Sequence, residues 1–251
     1  MSAAAISSAI WGMRMNAPFD EQTKGETKTK RPPARRPKDA ATLVLVRRHQ
    51  GTPQVLMGQR AHGHVFMPSK WVFPGGAVDP GDTLAPAATE LNAATEAELM
   101  KENARRKPRA FALAAIRETF EEAGLVVGRR GGAAGNAPKG WREYAKHDAA
   151  PELHKLTFIA RAITPPMAPR RFDARFFMAD AEEVLLDDRP ITGDDELLQL
   201  QWFALDDAFK LDLPAITVTV LKEVRTRLGG EKPAPVFFRF TNGKGATGRL
   251  L

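Results

Sequence analysis

Glu118, Glu121 and Glu122 lie in the run Arg117-Glu118-Thr119-Phe120-Glu121-Glu122-Ala123-Gly124-Leu125. Spacings of three and four residues share one face of a helix, about 5–6 Å apart at Cβ. Carboxylates packed in this way repel one another, and like charges at those spacings destabilise a helix. A divalent cation removes the penalty. An all-oxygen ligand set suits Mg²⁺ or Mn²⁺, which also bridge phosphate oxygens. The competing reading is a solvated acidic face. Upstream, Phe73-Pro74-Gly75-Gly76-Ala77-Val78-Asp79-Pro80-Gly81-Asp82 can turn sharply and bare its backbone where a metal or phosphate could approach.

Arginines and aromatics concentrate in Arg170-Arg171-Phe172-Asp173-Ala174-Arg175-Phe176-Phe177. Guanidinium groups suit bidentate phosphate binding. Arg171 and Arg175 are therefore candidate substrate contacts, as is Arg60 at the end of a predicted strand. Strand alternation assigns Phe172 and Phe176 to one face, as core. His62 and His64, in a His-Gly-His turn, could be read as metal ligands but fit a surface turn better. No Ser/His/Asp arrangement and no P-loop motif is present, and there is no cysteine for a thiolate nucleophile, thiolate metal site or disulfide.

Several elements must position these groups. Ala41–Arg48 and Gln54–Gln59 read as a hairpin around His49–Pro53. Trp71–Phe73 is a strand fragment ended by Pro74-Gly75-Gly76. The stretch from Pro86 to Asn103 reads as a helix. Arg109–Ala123 reads as a second helix, with Leu113, Ile116 and Phe120 on its packing face and Gly124 as its stop. Leu156–Ile163, Phe172–Met178, Leu197–Ala204 and Pro235–Phe240 read as strands, and Ala215–Leu228 as a helix. Strands and helices mix without regular alternation, which predicts an α+β domain with a mixed sheet between helices.

Gly76 and the run from Arg117 to Leu125 together resemble the box of the Nudix hydrolase superfamily. Its pattern is glycine, five residues, glutamate, seven residues, then Arg-Glu-apolar-any-Glu-Glu-any-Gly-apolar. Five fixed positions of about 5–10% background frequency would coincide by chance in about one chain per thousand. This chain departs from the pattern at three points. Asp82 replaces the first glutamate, and Thr119 replaces an apolar residue. Between Asp82 and Arg117 stand 34 residues instead of seven. The enlarged box, with Met67-Pro68 ahead of it, is similar to a branch that contains coenzyme A diphosphatases. The insertion, 83–107, is expected as a helical excursion flanking the substrate entrance.

The resemblance implies a Nudix-like sheet between helices and a pyrophosphohydrolase that uses Mg²⁺ or Mn²⁺. It implies Glu118, Glu121 and Glu122 as catalytic metal ligands, with a backbone carbonyl from Gly76. Arg117 would orient those carboxylates by ion pairing. It also implies a further catalytic acid from a later loop, for which Glu196 is taken, with Asp194 and Asp195 as competitors. The substrate would be a nucleoside diphosphate linked to another moiety, coenzyme A or its acyl form among them. ADP-ribose, NADH and dinucleoside polyphosphates are the alternatives, as is a non-catalytic nucleotide- or RNA-binding module.

The net charge of +7 would suggest a nucleic-acid partner if it were spread over the chain. Residues 1–38 hold eight basic against three acidic side chains, leaving a surplus of two for the other 213 residues. We expect this segment to be a solvated, disordered tail ahead of one domain at 39–251, whose end, 211–251, carries the last helix and strand. Nucleic acid is then not the expected partner, and a homodimer is left open. No apolar run approaches the roughly 20 residues that cross a bilayer. The first residues resemble neither a secretory signal nor a stop-transfer segment, so a cytoplasmic location is expected.

Overall fold

A computed structural model of the chain describes residues 36–63, 67–101, 106–132, 137–241 and 244–250. The expected tail lies, for residues 1–35, outside the described residues, as does His64. The hairpin forms from β1 (Lys38–His49) and β2 (Thr52–Arg60), so the sheet begins at Lys38. Two short strands follow, β3 (Trp71–Val72) and β4 (Gly75–Ala77), then the helices α1 (Ala93–Met100) and α2 (Pro108–Ala123). The middle of the chain holds β5 (Arg129–Arg130), α3 (Arg142–Ala145) and β6 (Ala149–Ala150). Next come β7 (Thr157–Ile163), β8 (Phe172–Asp180), α4 (Ala181–Val184) and β9 (Leu197–Ala204). The chain continues with α5 (Leu205–Ala208), α6 (Ala215–Leu228), β10 (Val236–Thr241) and β11 (Lys244–Arg249).

The main sheet runs in the order β11-β10-β7-β8-β1-β2-β3, with β4 beside β1 and β9 beside β2. Pairs β1/β8 and β7/β10 are parallel, and the other pairings in this sheet are antiparallel. Alternation along β1 divides two cores. Leu43 and Leu45 pack toward α2, whereas Val44 and Val46 pack toward α6. The mixed sheet between helices therefore stands as expected. One edge of β1 is shared: Val46–His49 pair with β2, and Ala40–Thr42 pair with β4. That sharing fixes the glycine loop to the middle of the sheet.

The insertion departs from expectation. Its helix covers only Ala93–Met100, because Asn92 caps it, accepting from the Thr95 N–H at 2.8 Å. It is not an excursion beside the entrance. Ala85, Leu91 and Leu99 are buried in the core cluster of α2, and the Thr95 hydroxyl donates to the Leu156 carbonyl at 3.2 Å. Arg109, in the first turn of α2, holds the segment through Glu90 and the carbonyls of Thr83 and Ala85. The apolar side chains of the insertion need burial, and the flank of α2 beside β7 supplies it.

Candidate active site

Helix α2 delivers the carboxylates. It starts on Pro108 and stops at Gly124, whose φ of 68° is left-handed. A Cβ at Gly124 would also stand 2.1 Å from the Thr192 hydroxyl, so glycine alone fits there. Thr119, placed where an apolar residue was expected, is fully buried and donates to the Ala115 carbonyl at 2.8 Å. At 3.6 residues per turn, Glu122 lies about 40° to one side of Glu118, and Glu121 about 60° to the other.

Glu118 and Glu122 meet the glycine loop. The Gly75 N–H donates to Glu122 Oε2 at 2.7 Å, while Glu122 Oε1 is buried with no hydrogen-bond partner. A Cβ on Gly76 would stand 2.5 Å from the Glu118 carboxylate, which makes Gly76 obligatory for this approach. Burial raises the Glu118 pKa to about 7, against the opposing pull of Arg117. Glu122 is pushed well above the usual carboxylate range by burial first and by Glu118 second. Two acids that burial drives toward neutrality, helped by Glu118 at Glu122 and by Glu121 at Glu118, one with a bare oxygen, form a donor set suited to a hard divalent cation.

Glu121 is half-exposed and pairs with Arg117 Nη1 at 2.7 Å, the same nitrogen that Glu118 approaches. Among the described residues no group of three acidic or imidazole side chains forms a ready metal cluster. Arg117 behaves as expected, as an organiser. Besides Glu121 it contacts Glu118 at 2.9 Å, the Ala77 carbonyl at 2.8 Å and both oxygens of Asp82. Asp82 is fully buried and also accepts from the Trp141 indole at 2.9 Å. Trp141 follows a glycine-rich run at 128–140, and nothing else in the sequence marks it for that contact.

An apolar cavity adjoins the loop and shares Gly75 and Gly76 with it. Phe172, Phe176, Phe238 and Ile216 line it, together with Arg60 and Thr217. Phe172 and Phe176 thus share a face, as alternation requires, but they wall a cavity rather than only filling core. Arg60 reaches the site, and its charge offsets the pKa rise of Glu122. Thr217, only 3% exposed, was not singled out in the sequence, where nothing marks it.

Arg171 and Arg175 do not line this cavity. Arg171 donates to the Thr164 carbonyl at 3.1 Å. Arg175 is buried on the opposite face, beside Asp173 and 4.2 Å above the Phe111 ring. Glu196 is exposed. Its neighbour Asp194 is the acid whose charge acts on Glu122, and its Oδ1 also accepts from the N–H groups of Glu196 and Leu197. His62 pairs with Ser69 at 2.6 Å, as a surface turn would.

No protein-family model matches the chain. A Nudix hydrolase structure from Alicyclobacillus acidocaldarius superposes with a TM-score of 0.55 at 28% identity, over 74% of this chain and 90% of that one. The chain thus has a Nudix-like α+β fold. A Caenorhabditis elegans protein bearing the name nudix hydrolase 7 is 28% identical over 173 residues, 61% of this chain. The match spans 46% of that relative, less than half its length. Within the Nudix fold, the box residues of this chain fall where α2 meets β4.

Proposed function

We propose that the chain is a Nudix pyrophosphohydrolase that hydrolyses a nucleoside diphosphate linked to a second moiety. The observation that carries this is the pair of half-buried Glu118 and buried Glu122, with the bare Oε1 of Glu122, set against Gly75–Gly76, which also line an apolar cavity. Glu118 and Glu122, with the Gly76 carbonyl, would hold Mg²⁺ or Mn²⁺, and Glu121 stands at the margin of the set. When bound, such an ion lowers the pKa of water and offsets charge on anhydride oxygens.

The chain's own residues supply the rest. Arg117 holds Glu118 and Glu121 in place and takes its own orientation from Asp82. Arg60 adds a positive charge facing the substrate phosphates. Asp194, whose charge acts on Glu122, is our choice of base for the water proton, with Glu196 as the alternative. The aromatic walls accept an uncharged, flat portion of the substrate, with the Thr217 hydroxyl as a polar contact.

The finer assignment to coenzyme A or its acyl form rests on the resemblance of the enlarged box. ADP-ribose, NADH and dinucleoside polyphosphates are the alternatives. A screen of these compounds with Mg²⁺ and with Mn²⁺ tests the reading. One of them should be cleaved at its anhydride, and Glu122→Gln should lower kcat by about a hundredfold or more, since the ion loses a ligand. Undiminished turnover in Glu122→Gln would overturn the assignment.

A further inference from the structure

On the far side of β4 a second, polar cleft of about 610 Å³ opens where β1, β7, β8 and the approach to α2 meet. Ala77 lines this cleft, while Gly76, its neighbour in β4, lines the apolar cavity. Arg161 and Arg175, 8% and 2% exposed, form the floor. Both depend on one acid: Arg161 grips Asp173 at 2.8 and 2.7 Å, and Arg175 stands 3.0 Å from it. Asp39 is 3.5 Å from Arg175 and 3.5 Å from Arg106. Arg36 and Lys38 add two exposed cations to the rim.

The cleft therefore gathers five cationic side chains against three carboxylates, Asp39, Asp79 and Asp173. Arginine cannot shed its charge to relieve the surplus. The Arg175 and Arg161 guanidinium groups rest 4.2 Å and 5.1 Å from the Phe111 and Phe237 rings. Their charges are thus fixed in place. Fixed guanidinium groups with a net positive field suit a phosphate group, which accepts charge-assisted hydrogen bonds.

We propose that this cleft binds a compact phosphate-class anion at a site separate from Glu118 and Glu122. Anion binding there does not depend on hydrolysis, and only its assignment to substrate rests on the proposed function. Its occupant is either a phosphate monoester carried by the substrate, away from the scissile anhydride, or free phosphate. Titration calorimetry of the full chain with inorganic phosphate, in chelator, tests the site with no cation to bridge phosphate to the carboxylates. Wild type and Glu122→Gln should bind equally, and added salt should weaken both.

Lys38→Gln alone, at an exposed position, should weaken binding, and Lys38→Gln with Arg106→Gln should weaken it about tenfold or more. A wild-type Kd above about 10 mM, or equal binding by the double variant, would overturn the proposal. Competition between phosphate and a turned-over nucleotide assigns the anion to substrate, and its absence assigns it to free phosphate. Both outcomes require binding that the cleft variants weaken.

Discussion

Asp82 and Glu122 are buried carboxylates in two halves of one motif, 0% and 3% exposed, and their surroundings differ in kind. Asp82 Oδ1 accepts from the Arg117 Nε and the Trp141 indole, and Oδ2 accepts from Arg117 Nη2 and the Asp79 N–H. Glu122 has one backbone donor and a bare oxygen. A saturated carboxylate is a structural tie whose charge is already neutralised. A half-satisfied one, facing a second acid, stores repulsion that a cation can relieve. The substitution of aspartate for glutamate at position 82 fits the first role, since a shorter arm suffices where four donors converge on it.

The largest effect on stability should come from the saturated end. Asp82→Ala strands a buried guanidinium and an indole N–H, which costs about 3–5 kcal/mol. For a chain of this size that lowers Tm by roughly 6–20 °C. Glu122→Gln, measured beside it in chelator, should leave Tm level or raise it. Equal losses in the two variants would erase the distinction between them.

Proton linkage gives the next effect. Between the unfolded value near 4.5 and the folded value of about 7 for Glu118, the folded state binds more protons than the unfolded one. Stability in chelator should therefore fall as pH rises from 5 to 8, by roughly 2–3 kcal/mol. Mg²⁺ added at pH 8 should restore it. A Tm that climbs across that range in chelator would show that the pair carries no stored repulsion.

The smallest effect sets the baseline. Glu96→Gln, an exposed acid on α1, should change Tm by less than about 0.5 kcal/mol equivalent and leave turnover unchanged. A larger response there would mean that acidic residues of α2 and α1 cannot be told apart by their burial.

Residue spacing along the chain was sufficient for much of this protein. Helix α6 and strand β9 have the bounds that their apolar periods predict, and α2 begins one residue before its predicted start. These signals are local, because burial of one face imposes a period on the residues that supply it. Gly76, Glu118, Glu122 and Arg117 were marked instead by the resemblance to the Nudix box, and the fold brings Gly76 against Glu118 and pairs Arg117 with Glu118 and Glu121.

Other features were decided by tertiary contact. Helical phase alone groups Glu121 with Glu118 and Glu122, whereas Arg117, itself held by Asp82 from another segment, ties Glu121 and Glu118 to one nitrogen and leaves Glu122 to the glycine loop. Asp194 and Glu196 are equivalent as letters in an acidic loop, but the loop's path brings the charge of Asp194 to bear on Glu122 and leaves Glu196 exposed. Alternation puts Phe172 and Phe176 on one face of β8 and Arg175 on the other, without saying which face borders the glycine loop. The insertion shows the same limit, since Leu91 and Leu99 needed burial but nothing local named α2 as the surface that provides it. Those choices depend on which distant segments the sheet brings together.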